Sequence, residues 1–140
     1  MNSRPRDERI QILLAEDNTG DVVLIREAFK GLKRAHDLFV VQDGEKAIDL
    51  IDRIDQQESV PCPSLLLLDL NLPRRSGTEV LRRLRQSPKC GGIPVVILTS
   101  SDAPKDRESA EQFAVDCYFR KPSDLNEFMK IREIVNRILG

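Results

Sequence analysis

The segment Leu65-Leu66-Leu67-Leu68-Asp69 constrains this chain more than any other. Its four leucines show no polar alternation, and Pro61 and Pro63 break any helix just before them. Such a run suits a strand covered by helices on both faces, as in the centre of a parallel sheet. Asp69 then stands at the carboxyl end of a central strand. In open α/β sheets that edge is where ligands bind.

The rest of the chain alternates in the same sense. Ile10 to Ala15 reads as the first strand, and Val22, Ile25, Ala28, Phe29 and Leu32 mark a helix from about Asp21 to Lys33. Leu38 to Val41 is the second strand, followed by a helix carrying Ala47, Ile48, Ile51 and Ile54 that Gly44 opens. Asp55 to Ser64 reads as a loop. After the leucine strand come a basic amphipathic helix from Thr78 to Gln86, a strand from Ile93 to Leu98 and a helix closing over Ser109 to Ala114. Cys117 to Phe119 is the fifth strand, and Leu125, Phe128, Ile131, Val135, Ile138 and Leu139 outline a last helix capped by Ser123 or Asp124. Five strand–helix pairs predict an α/β fold of (βα)5 type, a doubly wound five-stranded parallel sheet. At 140 residues without repeats, the chain reads as one domain over 10–140, preceded by a disordered or extended segment over 1–9.

Charge narrows the function classes. A net charge of -1 supplies no bulk field for nucleic acid. The cluster Arg74, Arg75, Arg82, Arg83 and Arg85 reads as a solvated face, with no aromatic platforms beside it. Cys62, Cys90 and Cys117 lack the spacing of zinc or redox motifs and read as reduced thiols in a cytosol. The apolar run after Arg9 is too short for a signal peptide or a membrane span, so a cytoplasmic location is expected. His36 falls in a short link after the first helix, far from the acidic residues, and is assigned no relay role.

Polar residues follow the strands: Glu16 and Asp17 after the first, Asp69 after the third, Thr99 after the fourth and Lys121 after the fifth. All should converge at one edge. Two carboxylates 4 Å apart repel by roughly 4 kcal/mol at an effective dielectric near 20, so the group requires a cation. Oxygen donors without imidazole or thiolate favour Mg²⁺, which would touch Asp17 and Asp69 directly. Lys121 supplies a second positive charge, and the Thr99 hydroxyl a donor to a phosphoryl oxygen. The chemistry this suggests is attack of Asp69 on phosphorus, forming an aspartyl phosphate. Acidic strand ends are common in α/β folds, so other phosphate-handling proteins remain in play on this ground alone.

The segments Leu14-Ala15-Glu16-Asp17-Asn18, Leu67-Leu68-Asp69-Leu70-Asn71-Leu72-Pro73 with Gly77, Ile97-Leu98-Thr99-Ser100 and Arg120-Lys121-Pro122 closely resemble the CheY-like receiver domains of bacterial response regulators. The resemblance covers essentially the whole chain after Arg9. It implies Glu16 and Asp17 as the acidic pair, Asp69 as phosphoacceptor, Asn71 as backbone-carbonyl metal ligand, and Thr99 and Lys121 as phosphate contacts. It also places Tyr118 at the switch aromatic position, paired in function with Thr99. The Glu-Asp-Asn-x-Gly-Asp run from Glu16 to Asp21 and the Pro-containing loop before the third strand resemble small regulators paired with phytochrome histidine kinases. A sensor histidine kinase is therefore the implied phosphoryl source. Ser76 and Ser101 occupy positions that vary in the family and bear on how water reaches an acyl phosphate.

The expected role is a switch and not an enzyme: phosphorylation remodels the face of the fourth helix, fifth strand and last helix. That face would then dock on a target, or on a second copy as a homodimer. An aspartyl-nucleophile phosphatase would need an acid two residues after Asp69, where Asn71 stands and cannot donate a proton. A receiver-like module without phosphotransfer is opposed by the complete set of acidic, hydroxyl and lysine groups. A cis Lys121–Pro122 bond is expected to aim the lysine inward.

Overall fold

A computed structural model describes residues 9–100 and 103–140. Ser101 and nearly all of the 1–9 segment lie outside the described residues. Five parallel strands, β1 (Ile10–Ala15), β2 (His36–Val41), β3 (Leu65–Asp69), β4 (Val95–Thr99) and β5 (Cys117–Arg120), form one sheet in the order β2-β1-β3-β4-β5. The helices are α1 (Thr19–Phe29), α2 (Gly44–Gln56), α3 (Gly77–Arg85), α4 (Pro104–Glu111), α5 (Leu125–Phe128) and α6 (Ile131–Leu139). The predicted doubly wound architecture is what forms. No helix among the described residues is long and apolar enough to cross a membrane.

Side chains alternate across a strand, and the core divides accordingly. Ile12, Leu14, Leu65, Leu67, Val96 and Leu98 pack with Ile25, Phe29, Phe128 and Val135 on the α1, α5 and α6 side. Leu13, Leu66, Leu68, Val95 and Ile97 pack with Ile51, Leu81 and Ala110 on the α2, α3 and α4 side. All four leucines of β3 are fully buried, as a strand covered on both faces requires. The strand order reverses between β1 and β3, which opens a crevice beyond their carboxyl ends.

Close backbone approach fixes the loop after β3. A Cβ on Gly77 would lie 2.5 Å from the Leu70 Cα and 2.6 Å from the Asp69 carbonyl oxygen, so α3 can start there only on a glycine. Gly44 meets the same loop from α2: its N–H donates to the Pro73 carbonyl at 3.1 Å, and a Cβ would strike the Arg75 carbonyl. Between them Arg74 takes a left-handed φ of 70°, with its guanidinium near Asp43 and Glu45. The side chain of Ser76 caps α3 and forms a capping box with Glu79.

Several expectations need correction. Cys62 and Cys90 are joined by a disulfide, so of the three expected thiols only Cys117 is free. The loops before β3 and β4 meet at the amino edge of the sheet, a proximity that a separation of 28 residues conceals. The Lys121–Pro122 peptide is trans; no described peptide bond is cis. Lys121 points inward because its N–H continues the β5 ladder to the Thr99 carbonyl at 2.7 Å, on the alternation of Cys117 and Phe119.

The basic cluster is only partly solvated. Arg83 pairs with Asp52 and Asp55 of α2, and Arg85 donates to the carbonyls of Gly91, Ile93, Phe113 and Ala114. The last helix divides at Met129–Lys130, where bonds from Lys130 N to the Glu127 oxygen and from Arg132 N to the Met129 oxygen tighten the turn. The first helix likewise ends at Phe29, short of Lys33, as i to i−3 bonds close over Lys30, Gly31 and Leu32. His36 opens β2 instead of linking to it, edge-on to Phe29.

Two consequences are measurable. Reducing Cys62–Cys90 should lower the unfolding free energy by roughly 2–4 kcal/mol, read as a lower urea midpoint with dithiothreitol than without; equal midpoints would show that the bond does not staple these loops. Gly77→Ala should cost about 1–3 kcal/mol in the same assay, because the added methyl must push β3 and α3 apart.

Candidate functional site

Strand alternation decides which strand-end groups meet. Glu16 N–H donates to the Val41 carbonyl, extending the β1 ladder by one residue, so its side chain shares the face of Ile12 and Leu14. Asp69 shares the face of Leu65 and Leu67, and Lys121 that of Cys117 and Phe119. The three therefore gather on the α1 side of the carboxyl edge. Lys121 Nζ lies 2.6 Å from Glu16 Oε1 and 3.1 Å from Asp69 Oδ2. Asp69 is 5% exposed, and its Oδ1 accepts from the Asn71 N–H at 2.9 Å.

Asp21 joins them. Its Oδ2 lies 2.8 Å from Lys121 Nζ, although the sequence argument stopped at Asp17. Asn18 caps α1 by accepting from Asp21 N–H at 2.9 Å, which turns the chain so that the first helical turn faces the edge of the sheet. A carboxylate in that turn, four residues past the acidic pair, was the available signal. Asp17, Asn18, Thr19, Asp21, Asp69, Asn71, Ser100 and Lys121 line one open cleft.

The electrostatics follow from burial. Burial pushes the Glu16 carboxyl up, the Asp69 carboxylate beside it pushes further, and the Lys121 ammonium opposes both, leaving it at about 7. Burial works against the charge on Lys121, but Asp21, Glu16 and Asp69 outweigh it and raise its pKa above the ordinary lysine value. Lys121 is therefore a fixed cation.

Glu16, Asp17 and Asp69 can each offer one oxygen with all three atoms within 4.8 Å of one another. Glu16 Oε1 is buried and makes no hydrogen bond, its nearest partner being the Lys121 charge. An all-oxygen set with an underused buried acceptor and an exposed Asp17 suits a hard divalent cation that retains water. Asn71 lines the same cleft.

Thr99 is fully buried at the end of β4, on the alternation of Val95 and Ile97, hence towards α3 and α4. Tyr118 packs against that same side, and the Arg107 guanidinium of α4 lies 4.6 Å from its ring centroid. The structure thus brings Glu16, Asp17, Asp69 and Lys121 into one cluster, and sets Thr99 and Tyr118 on the opposite face of the sheet.

Residues 12–133 match the response regulator receiver domain family. The chain belongs to that family. As a receiver it is a signalling component of two-component systems, and the expected recognition stands. It is 38% identical over 120 residues to the response regulator Rcp1 of Synechocystis sp., a match spanning 86% of this chain and 82% of that one. The phosphorylated cyanobacterial phytochrome response regulator RcpA superposes with a TM-score of 0.83 at 32% identity, covering 93% of each chain. The Mn²⁺-bound form of Rcp1 superposes with a TM-score of 0.80 at 36% identity, covering 90% of this receiver and 91% of that chain.

A proton on Glu16 would compete with a divalent cation held by this oxygen set, so Mg²⁺ affinity should depend on pH around 7. The Glu16 pKa is raised, so the proton is bound below about 7 and lost above it. Affinity should therefore fall by up to about tenfold per unit below that value and level off above it. Calorimetric Mg²⁺ titrations at several pH values test this; a flat profile would mean that Glu16 is not the competing group.

Proposed function

We propose that this receiver accepts a phosphoryl group on Asp69 from a sensor histidine kinase, of the kind that accompanies phytochromes, and answers by remodelling its α4, β5 and α6 face. One observation carries the reading: the buried Asp69 carboxylate lies 3.1 Å from a fixed ammonium, in a cluster that also holds Glu16 and Asp17. A nucleophile, a cation site and a charge for phosphoryl oxygens stand within one cleft. The resemblance to phytochrome response regulators supports the kinase assignment, and the RcpA relative is itself described as phosphorylated.

In this reading Glu16, Asp17 and Asp69, with the Asn71 carbonyl, hold Mg²⁺. The ion would supply charge neutralisation for phosphoryl oxygens. A carboxylate oxygen of Asp69 attacks phosphorus in line, Lys121 compensates charge on the transferred group, and the Thr99 hydroxyl donates to one of its oxygens. Asn71, standing where an aspartyl phosphatase would carry its acid, offers no proton for rapid release.

Drawing Thr99 towards the phosphoryl group changes the space on the α3 and α4 side, where Tyr118 packs. α4 is suited to respond: Ala110 is its one buried residue, and no side chain caps its start. The altered face then binds a target or a second copy of the chain.

Tyr118 is the only tyrosine and the chain has no tryptophan, so its emission reports the switch directly. Incubation with acetyl phosphate and Mg²⁺ should add the mass of one phosphoryl group and change tyrosine emission. Both effects should vanish in Asp69→Asn and without metal. A mass gain that survives Asp69→Asn would move the acceptor elsewhere, and no gain under any condition would leave a constitutive binding module.

A further inference from the structure

Lys121 Nζ donates to Asp21 Oδ2 at 2.8 Å and to Asp69 Oδ2 at 3.1 Å, and stands in an ion pair 2.6 Å from Glu16 Oε1. Three carboxylates surround the ammonium. To meet an oxygen of an incoming phosphoryl group, Lys121 must release one of these partners.

The three are not equally replaceable. The Glu16 side chain is wholly buried, so water cannot take the place of the ammonium beside its carboxylate. Asp69 becomes part of the acyl phosphate, and the phosphoryl oxygens then lie beside it. Asp21 differs from both: its side chain is 21% exposed and it lines the open cleft, so water can take over from the ammonium. It also sits in the first turn of α1, where the helix N-terminus supports a negative charge without help from Lys121.

We propose that Asp21 is a positioning residue that holds Lys121 in waiting and yields it to the phosphoryl group, so that its carboxylate acts as a brake on phosphoryl uptake. The inference rests on Asp69 being the acceptor. The step itself is a displacement: a bond forms from an Asp69 carboxylate oxygen to phosphorus as the bond between phosphorus and the donor breaks, P–N for a phosphohistidine and P–O for acetyl phosphate. With acetyl phosphate, acetate leaves with that electron pair, and no proton moves. Asp21 enters only through the charge that must turn from it to the transferred group, and through its own repulsion of an incoming anion.

The test compares wild type, Asp21→Asn and Asp21→Glu with acetyl phosphate at saturating Mg²⁺, following phosphorylation by intact mass over time. Asp21→Asn should take up phosphoryl roughly three- to tenfold faster at subsaturating donor, the scale of one partly exposed ion pair. Asp21→Glu should restore the slow rate, and urea midpoints of all three should agree, which a purely structural role would not produce. An Asp21→Asn rate equal to or below that of a phosphorylating wild type overturns the brake alone. A wild type that takes up no phosphoryl overturns the acceptor assignment, and the brake with it.

Discussion

Lys121 Nζ stands within 3.1 Å of oxygens from three carboxylates that arrive from β1, α1 and β3. Without that charge the carboxyl edge of the sheet would gather Glu16, Asp21 and Asp69 into a mutually repelling group in a partly desolvated place, at several kcal/mol for each close pair. The contact therefore ties the two loops that follow β1 and β3 to the end of β5, across the full width of the sheet's central crevice. Its hold is electrostatic and exchangeable, which a packed apolar contact at the same place would not be. A divalent cation shared by Glu16 and Asp69 would compete with the ammonium for the same oxygens.

The rest of the fold delivers those groups to within hydrogen-bond reach. The unalternated leucines of β3 require cover on both faces, and that requirement fixes a parallel sheet with α1, α5 and α6 on one side and α2, α3 and α4 on the other. The alternation inherited from the core then assigns Glu16, Asp69 and Lys121 to the α1 side. Gly77 and Gly44 hold the loop after Asp69 against α3 and α2 at separations that no side chain would permit. Site geometry is thus a continuation of core packing by one residue at the end of each strand.

Legibility in the sequence followed the range of each signal. The leucine run, the helical spacing of the apolar residues and the polar groups at strand ends are local patterns, and the five strands and their order of alternation with helices were readable from them. Asp21 was in plain view within a quoted motif, but its role depends on where the first turn of α1 points, which the Asn18 cap decides. The Cys62–Cys90 bond joins two loops through tertiary proximity that spacing does not encode. Arg83 and Arg85 looked like surface charge because their partners, the α2 carboxylates and a set of loop carbonyls, are distant in sequence. Lys121 was expected to turn inward through a cis peptide, whereas strand alternation alone suffices.

The division of the sheet into two faces also sorts the residues at the strand ends. The carboxylates and the ammonium lie on the α1 side, while Thr99 and Tyr118 lie on the side of α4. β4 adjoins both β3 and β5, so Thr99 at its end borders the Asp69 strand and the Tyr118 strand at once. Between the two faces the sheet is fully buried and too closely packed to deform gradually. On that opposite face the least anchored helix is α4, which buries Ala110 alone and whose Arg107 rests on the Tyr118 ring. Firm packing around Asp69 and light packing under α4 therefore stand on opposite faces of one sheet, with Thr99 at the strand end between them.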